Sequence, residues 1–193
     1  MTDFTMQKDA EGIATITWDC PGKSMNVLNT EALIHLDSLI DDALADTAVK
    51  GIVITSGKKD FAGGMDLNVL AQMRDAAGDS PEQGIFDGIM QMHAALRKIE
   101  RAGMDPKTLK GGKPIAAALP GTAVGIGLEL PLATHRIFAA NNPKAKIGLP
   151  EILVGIFPGA GGTTRLARKL GAMGAAPYLL EGKLLDPAKA KSA

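Results

Sequence analysis

A lone carboxylate in an apolar, glycine-punctuated stretch constrains this chain more than any other feature. From Pro114 to Thr134, Glu129 is the only side chain with a full charge at neutral pH, and its immediate neighbours are Gly, Leu, Ile and Pro. Desolvating an unpaired carboxylate is costly or drives its pKa upward, so a segment built for burial should exclude one. Gly121, Gly125 and Gly127 add backbone that can approach a ligand closely and adopt φ > 0. A helix opening near Gly125 to Gly127 would aim the free N–H groups of its first turn at whatever lies beyond the loop. The arrangement recurs downstream, where Glu151 is the only charged residue between Lys146 and Arg165, in a run closed by Pro158, Gly159, Gly161, Gly162 and Thr163. Two such carboxylates imply a pair of proton-transfer groups facing one cavity. The alternative for each is a solvated helix face or a turn cap.

At 193 residues the chain suits one domain with a sizeable core, or a piece of something larger. Apolar residues make up 46%, and 21 basic residues balance 21 acidic ones, which indicates neither disorder nor a nucleic-acid surface. A phosphate-bearing ligand would need local cations instead. The single Cys20 excludes an intramolecular disulfide and fits a reducing cytosol. The opening residues lack a signal-peptide pattern, and the uncharged runs are broken by Gly, Pro and Glu, which argues against a membrane span. A cytoplasmic location is expected.

Phe4 to Lys8 and Ile13 to Trp18 read as a β-hairpin, and Asn29 or Thr30 caps a helix with a stripe from Ala32 to Ala43. Gly51 to Thr55 is a short buried strand. Gly63, Gly64 and Met65 stand ahead of Asp66, a good N-cap for a helix to about Arg74, so their backbone would present N–H groups there. An ordinary strand-to-helix turn is the simpler account of those glycines. Ile85 to Ile99 traces a second long helix, and Met73, Met90, Met92 and Met104 read as core filler. Pro114 to Leu119 is a strand, and Pro131 is expected near the first turn of the helix that follows it. Arg136 to Ala140 is another strand. Helices are expected over Thr163 to Leu170 and Ala172 to Leu180, and Asp186 with Pro187 starts one more. An α/β fold of stacked ββα units follows. The chain stops just after that last helix begins, so a fragment lacking C-terminal helices is expected.

Several chemistries lack their residues. No phosphate-loop lysine follows Gly159 to Thr163, and the glycines around Gly125 and Gly127 fail the dinucleotide pattern. No nucleophile elbow or zinc helix occurs, and His35, His93 and His135 stand apart, so they read as structural and no metal site is expected. What remains is two backbone N–H sources, around Met65 and Ile126, and two isolated glutamates. Two N–H groups converging on one oxygen make an oxyanion hole, and two carboxylates beside it can move protons near the polarised carbonyl.

Three blocks carry a family resemblance: Phe61-Ala-Gly-Gly-Met65-Asp66-Leu67, Gly125-Ile-Gly-Leu-Glu129-Leu130, and Pro150-Glu151 through Pro158-Gly159 to Thr163. In order and spacing they resemble the signature blocks of the enoyl-CoA hydratase/isomerase (crotonase) family, over about residue 4 to the end. Ser24 to Leu28 together with the long 74–112 segment looks like the branch in which this unit opens a multifunctional fatty-acid-oxidation subunit. There an NAD-dependent 3-hydroxyacyl-CoA dehydrogenase follows, and none of it occurs in this chain.

The resemblance implies a crotonase-like fold, with residues 1–193 as one hydratase domain. It implies that the N–H groups of Met65 and Ile126 hold a thioester oxygen. The family usually has Gly at the second position and Ala or Gly at the first, departures that bear on pocket shape. Glu129 is similar to the glutamate that deprotonates water, Glu151 to the one that protonates the α carbon, and Gly159 to the position that helps seat the water. Met25, Gly63, Gly64, Asp66 and Gly125 fall among substrate-contacting positions, and Lys59 is a candidate for the nucleotide phosphates or a plain solvated lysine. Keeping both glutamates favours hydration of trans-2-enoyl-CoA without a cofactor beyond the substrate's own CoA. The rival readings are a Δ3,Δ2-enoyl-CoA isomerase and a non-catalytic acyl-CoA-binding or assembly module. An oligomer, with a thiolase subunit in the full complex, completes the expectations.

Overall fold

The computed structural model describes residues 2–66, 68–69, 72 and 80–193. Strands β1 (Phe4–Lys8) and β2 (Ile13–Trp18) pair antiparallel. β3 (Gly51–Ser56), β4 (Ile115–Leu119) and β6 (Arg136–Ala139) extend the sheet in parallel, in the order β1-β2-β3-β4-β6. Each parallel neighbour requires a crossover. Helix α1 (Thr30–Ala45) lies between β2 and β3, α2 (Pro81–Arg101) precedes β4, and α3 (Ile126–Ala133) lies between β4 and β6.

Alternation along β2 and β4 buries Ala14, Ile16 and Trp18, and Ile115, Ala117 and Leu119, on one face. Leu33, Leu36 and Ile40 of α1 and Leu96 and Ile99 of α2 complete that core. Trp18 stacks on Phe4 at 5.1 Å between ring centres and meets Phe61 edge-on at 5.9 Å. The Asn29 side chain accepts the Ala32 N–H at 2.7 Å and sets the start of α1. Lys98 of α2 reaches Asp37 and Asp41 of α1 at 2.8 and 2.6 Å and joins the two helices.

A second, two-stranded parallel sheet sits beside the first, formed by β5 (Ala123–Val124) and β7 (Ile147–Gly148). A single parallel bridge from Ala62 to Ala123 ties the loop after β3 to this small sheet. After β7 come a 3₁₀ turn (Glu151–Val154), helix α4 (Gly162–Leu180) and helix α5 (Pro187–Ser192). Gly171 breaks α4 with φ 73°, ψ 162°, leaving the two helical pieces expected on either side of it. Asp186 caps α5 by accepting the Lys189 N–H at 2.8 Å, with Pro187 at the first helical position.

Three expectations need correction or fall outside. Pro131 sits in the second turn of α3, near its end, and Thr134 closes the helix onto the Pro131 carbonyl with both its N–H and its hydroxyl. The lost ladder bond falls in the closing turn, where the helix is about to end at Thr134. Met92 is core, but Met90 is 47% exposed and Met104 half-buried, since they fall off the buried stripe of α2 or beyond its end. Most of the helix expected from Asp66 to Arg74, and Met73 with it, lies outside the described residues.

Candidate active site

The turn from β5 into α3 is built for close approach. Gly125, at φ 60° and ψ −133°, donates to the Gly148 carbonyl at 3.2 Å, and α3 opens on the next residue, Ile126. A Cβ at Gly125 would lie 3.5 Å from the Gly64 Cα, and one at Gly127 would press within 2.8 Å of Ala62. The absence of a side chain at Gly127 lets Ala62 pack closely against α3, and glycine at 125 lets the turn take its positive φ.

Both loops leave an N–H group unused. Leu28 donates to the Gly64 carbonyl at 3.0 Å and accepts from Asp66 at 3.0 Å, so the Met65 N–H between them points to the other edge. Ile126 is the first residue of α3, where an N–H has no intrahelical acceptor. Among the described residues neither N–H finds a partner. Both residues line one apolar cavity of about 600 Å³ together with Gly63, Gly64, Gly125, Gly159 and the two glutamates.

Glu129, in the first turns of α3, is 3% exposed. Its Oε1 accepts the Ala160 N–H at 2.9 Å and the Gly162 N–H at 2.8 Å, at the point where α4 begins. Burial pushes this carboxyl up and the charge of Glu151 adds to the rise, against the Gly162 and Ala160 N–H groups and the Arg165 guanidinium, giving a pKa raised to about 7. Glu151 opens the 3₁₀ turn, and a Cβ on Gly125 would sit 3.5 Å from its Oε1. Its Oε2 is buried with no partner among the described residues, and burial raises its pKa, opposed by its own N–H. The rest of the wall is apolar, with Ile89 and Met92 of α2 on one side and Leu153, Val154, Ile156 and Phe157 on the other. Among the described residues no three His, Cys, Asp or Glu side chains are grouped to hold a metal ion.

The remaining candidates lie outside the cavity wall. Lys59 is exposed ahead of Phe61, Asp66 pairs with Lys23 at 3.7 Å, and Met25 lies over Gly63, where a Cβ would come within 2.5 Å of its sulfur. Residues not singled out from sequence do much of the positioning. Asn26, fully buried, accepts the Cys20 N–H through its side chain at 2.9 Å, donates to the Trp18 and Phe61 carbonyls at 2.9 Å each, and offers its own carbonyl to Gly63 at 2.8 Å. It thereby fixes the entry to the Met65 loop. Ala160 and Gly162, the donors to Glu129, belong to the glycine-rich run from which only Gly159 was chosen. The signal was the composition of the run, which cannot say which N–H faces inward.

Gly162 tests that contact. A Cβ there would stand 2.7 Å from Glu129 Cγ and 2.9 Å from Oε1. Gly162→Ala is expected to push the carboxylate off its donors and to destabilise the fold by about 1–3 kcal/mol, read by urea denaturation. Unchanged stability would mean that the loop has room to spare.

The family model described as enoyl-CoA hydratase/isomerase matches residues 8–193 of this chain. A relative named fatty acid oxidation complex subunit alpha, from Shewanella halifaxensis (strain HAW-EB4), is 36% identical over 188 residues, covering 97% of this chain and 24% of that protein. The chain thus spans about a quarter of the length of such curated relatives. Among solved structures, an enoyl-CoA hydratase from Geobacillus kaustophilus HTA426 superposes with a TM-score of 0.83 at 29% identity, over 100% of this chain and 66% of that one. The enoyl-CoA hydratase from Thermoplasma volcanium GSS1 gives 0.82 at 27% identity, over 100% and 69%. The expected α/β crotonase-like fold is therefore the fold of this molecule, and the chain belongs to the enoyl-CoA hydratase/isomerase family.

Proposed function

We propose that this chain is an enoyl-CoA hydratase, adding water syn across the double bond of a trans-2-enoyl-CoA to give a 3-hydroxyacyl-CoA. The observation that carries the reading is the meeting of Glu129, Glu151 and two unengaged N–H groups on one apolar cavity. In this mechanism the Met65 and Ile126 N–H groups donate to the thioester oxygen and hold the charge that grows there, which makes the β carbon electrophilic. Ionised Glu129 takes a proton from water while the water oxygen bonds to the β carbon. Protonated Glu151 then delivers its proton to the α carbon, and exchange with solvent resets both acids.

The hydrogen-bond partners of the two acids differ in the sense this division of roles needs, although burial raises both carboxyls. Glu129 receives two N–H donors that favour its charged form, whereas the buried Glu151 Oε2 receives none. Gly159 flanks the water site, Met25, Gly63, Gly64, Asp66 and Gly125 border the thioester and pantetheine path, and Lys59 supplies a cation for the nucleotide phosphates. The whole of 1–193 acts as one domain, and hydration needs no cofactor other than the substrate's CoA. The subunit named in the relatives supports a wider proposal. In it the parent protein joins this domain to an NAD-dependent 3-hydroxyacyl-CoA dehydrogenase and works in β-oxidation, as an oligomer with a thiolase, in the cytoplasm. Among the described residues no helix is long and apolar enough to cross a membrane.

The test offers the purified chain trans-2-enoyl-CoA and, separately, 3-enoyl-CoA. Hydration predicts loss of the conjugated thioester absorbance with product heavier by one water. Conversion of the 3-enoyl substrate without any hydration would instead support an isomerase, and binding without turnover a non-catalytic module.

A further inference from the structure

Glu129 is held by two peptide groups of one loop, and both of those are held in turn from their far side. The Ala160 N–H that reaches Glu129 at 2.9 Å belongs to the same peptide as the Gly159 carbonyl, whose oxygen lies 2.6 Å from His93 Nε2. The Gly162 N–H belongs to the same peptide as the Gly161 carbonyl, which accepts the Arg165 backbone N–H at 3.0 Å. Between them the Ala160 carbonyl accepts Arg165 Nη1 at 3.0 Å, and Arg165 Nη2 lies 3.4 Å from Glu100. A carbonyl oxygen can only accept, so His93 carries its proton on Nε2 in this contact.

We propose that His93 is a positioning residue for Glu129, acting across the Gly159–Ala160 peptide. Two physical effects carry this role. A hydrogen bond to a peptide oxygen polarises the amide and strengthens its N–H as a donor, most of all in a dry interior. The loop is also rich in glycine, whose backbone has the most freedom to lose, so an anchor on Gly159 fixes the plane of the peptide that holds the carboxylate. α2 is suited to supply it, because Ile89 and Met92 on the same helix form the cavity wall. The charged groups facing Glu129 are Glu151 from the 3₁₀ turn and Arg165 from α4, with Glu100 of α2 behind Arg165. Among the described residues His93 alone bonds the Gly159 carbonyl.

The role depends on the hydratase reading only for its effect on turnover, so the deciding measurement uses no substrate. The Glu129 carboxyl is titrated by carbon NMR in protein labelled at glutamate, with Glu129→Gln to assign its resonance. His93→Leu should make Glu129 bind its proton at least about threefold more tightly, since a weaker Ala160 donor supports the carboxylate less. His93→Asn, too short to reach the carbonyl, should match it, and it serves if the leucine variant does not fold. His93→Gln, whose amide Nε2 can take the place of the ring donor, should titrate like the wild type. In hydration assays the acidic limb of the kcat profile should move to higher pH in the Leu and Asn variants, with KM unchanged. Folded Leu or Asn variants whose Glu129 titrates as in the wild type, or a Gln variant shifted as far as the others, would overturn the role. Absence of hydration in the wild type would sink the hydratase reading and leave the NMR result standing.

Discussion

Glu129→Gln and Glu151→Gln are each expected to lower kcat for hydration of a short trans-2-enoyl-CoA by about 10²- to 10⁴-fold, the usual worth of a positioned acid or base. Affinity for the CoA thioester should change little, because glutamine nearly matches glutamate in volume and neither acid is needed to grip the thioester oxygen. The amide of Glu129→Gln can still accept the Ala160 and Gly162 N–H groups through its oxygen, so the loop should stay in place. What it cannot do is take a proton from water. In Glu151→Gln the lost function is donation to the α carbon, and the amide keeps the cavity filled beside Gly125. The double variant should fall little further than either single one, since residues that act as a unit are far from additive. Stopped assays of kcat and KM for the three variants check this, and near-normal turnover in either single variant removes that residue from the mechanism.

Glu129 should also make the fold less stable as pH rises through the neutral range. Its carboxyl is raised to about 7 in the folded chain from an ordinary value of 4.5, so between those values the folded state binds the proton more tightly than the unfolded one. The stability it contributes is therefore fully present below about pH 4.5 and is lost as pH climbs through about 7, by roughly 3 kcal/mol at most. Glutamine in its place titrates nowhere in this window, so Glu129→Gln should gain on the wild type by a similar amount between acid and mildly alkaline pH. The comparison has to be a difference between the two proteins. Glu100, Asp46, Asp105 and Asp186 have lowered pKa values and weaken the fold in the opposite direction as pH falls. Urea denaturation at pH 4.5, 6 and 8 would show it, and parallel curves would mean that Glu129 ionises in the fold as it does in water. A more stable yet inactive variant is the usual sign of a strained active site.

The strand and helix order was legible because it rests on local periodicity and caps. Asn29, Gly171 and Asp186 each mark a boundary that the molecule uses. The two glutamates were legible for a related reason, since an isolated charge in an apolar run is visible in one dimension. Pro131 and Met90 were misread because burial and helix ending are properties of the packed molecule. Asn26, Ala160 and Gly162 lie in stretches that the sequence marked without showing which residue positions the site, and His93 stood apart as a structural histidine. Asn26 bonds Phe61, and His93 bonds Gly159 across 66 positions of chain, through contacts that no local pattern encodes.

The sequence by itself determined which residues can carry chemistry, because side-chain type and backbone freedom travel with the residue: two acids without local partners, and glycines where N–H groups must lie bare. Only the tertiary structure decided that Glu129 and Glu151 share a cavity and that they differ. One acid faces the opening of α4 with two donors on it and the other hangs over Gly125 with one oxygen unpartnered. Proton affinity is set by what surrounds a carboxyl in space, and that surrounding comes from a loop more than 30 positions away in the chain.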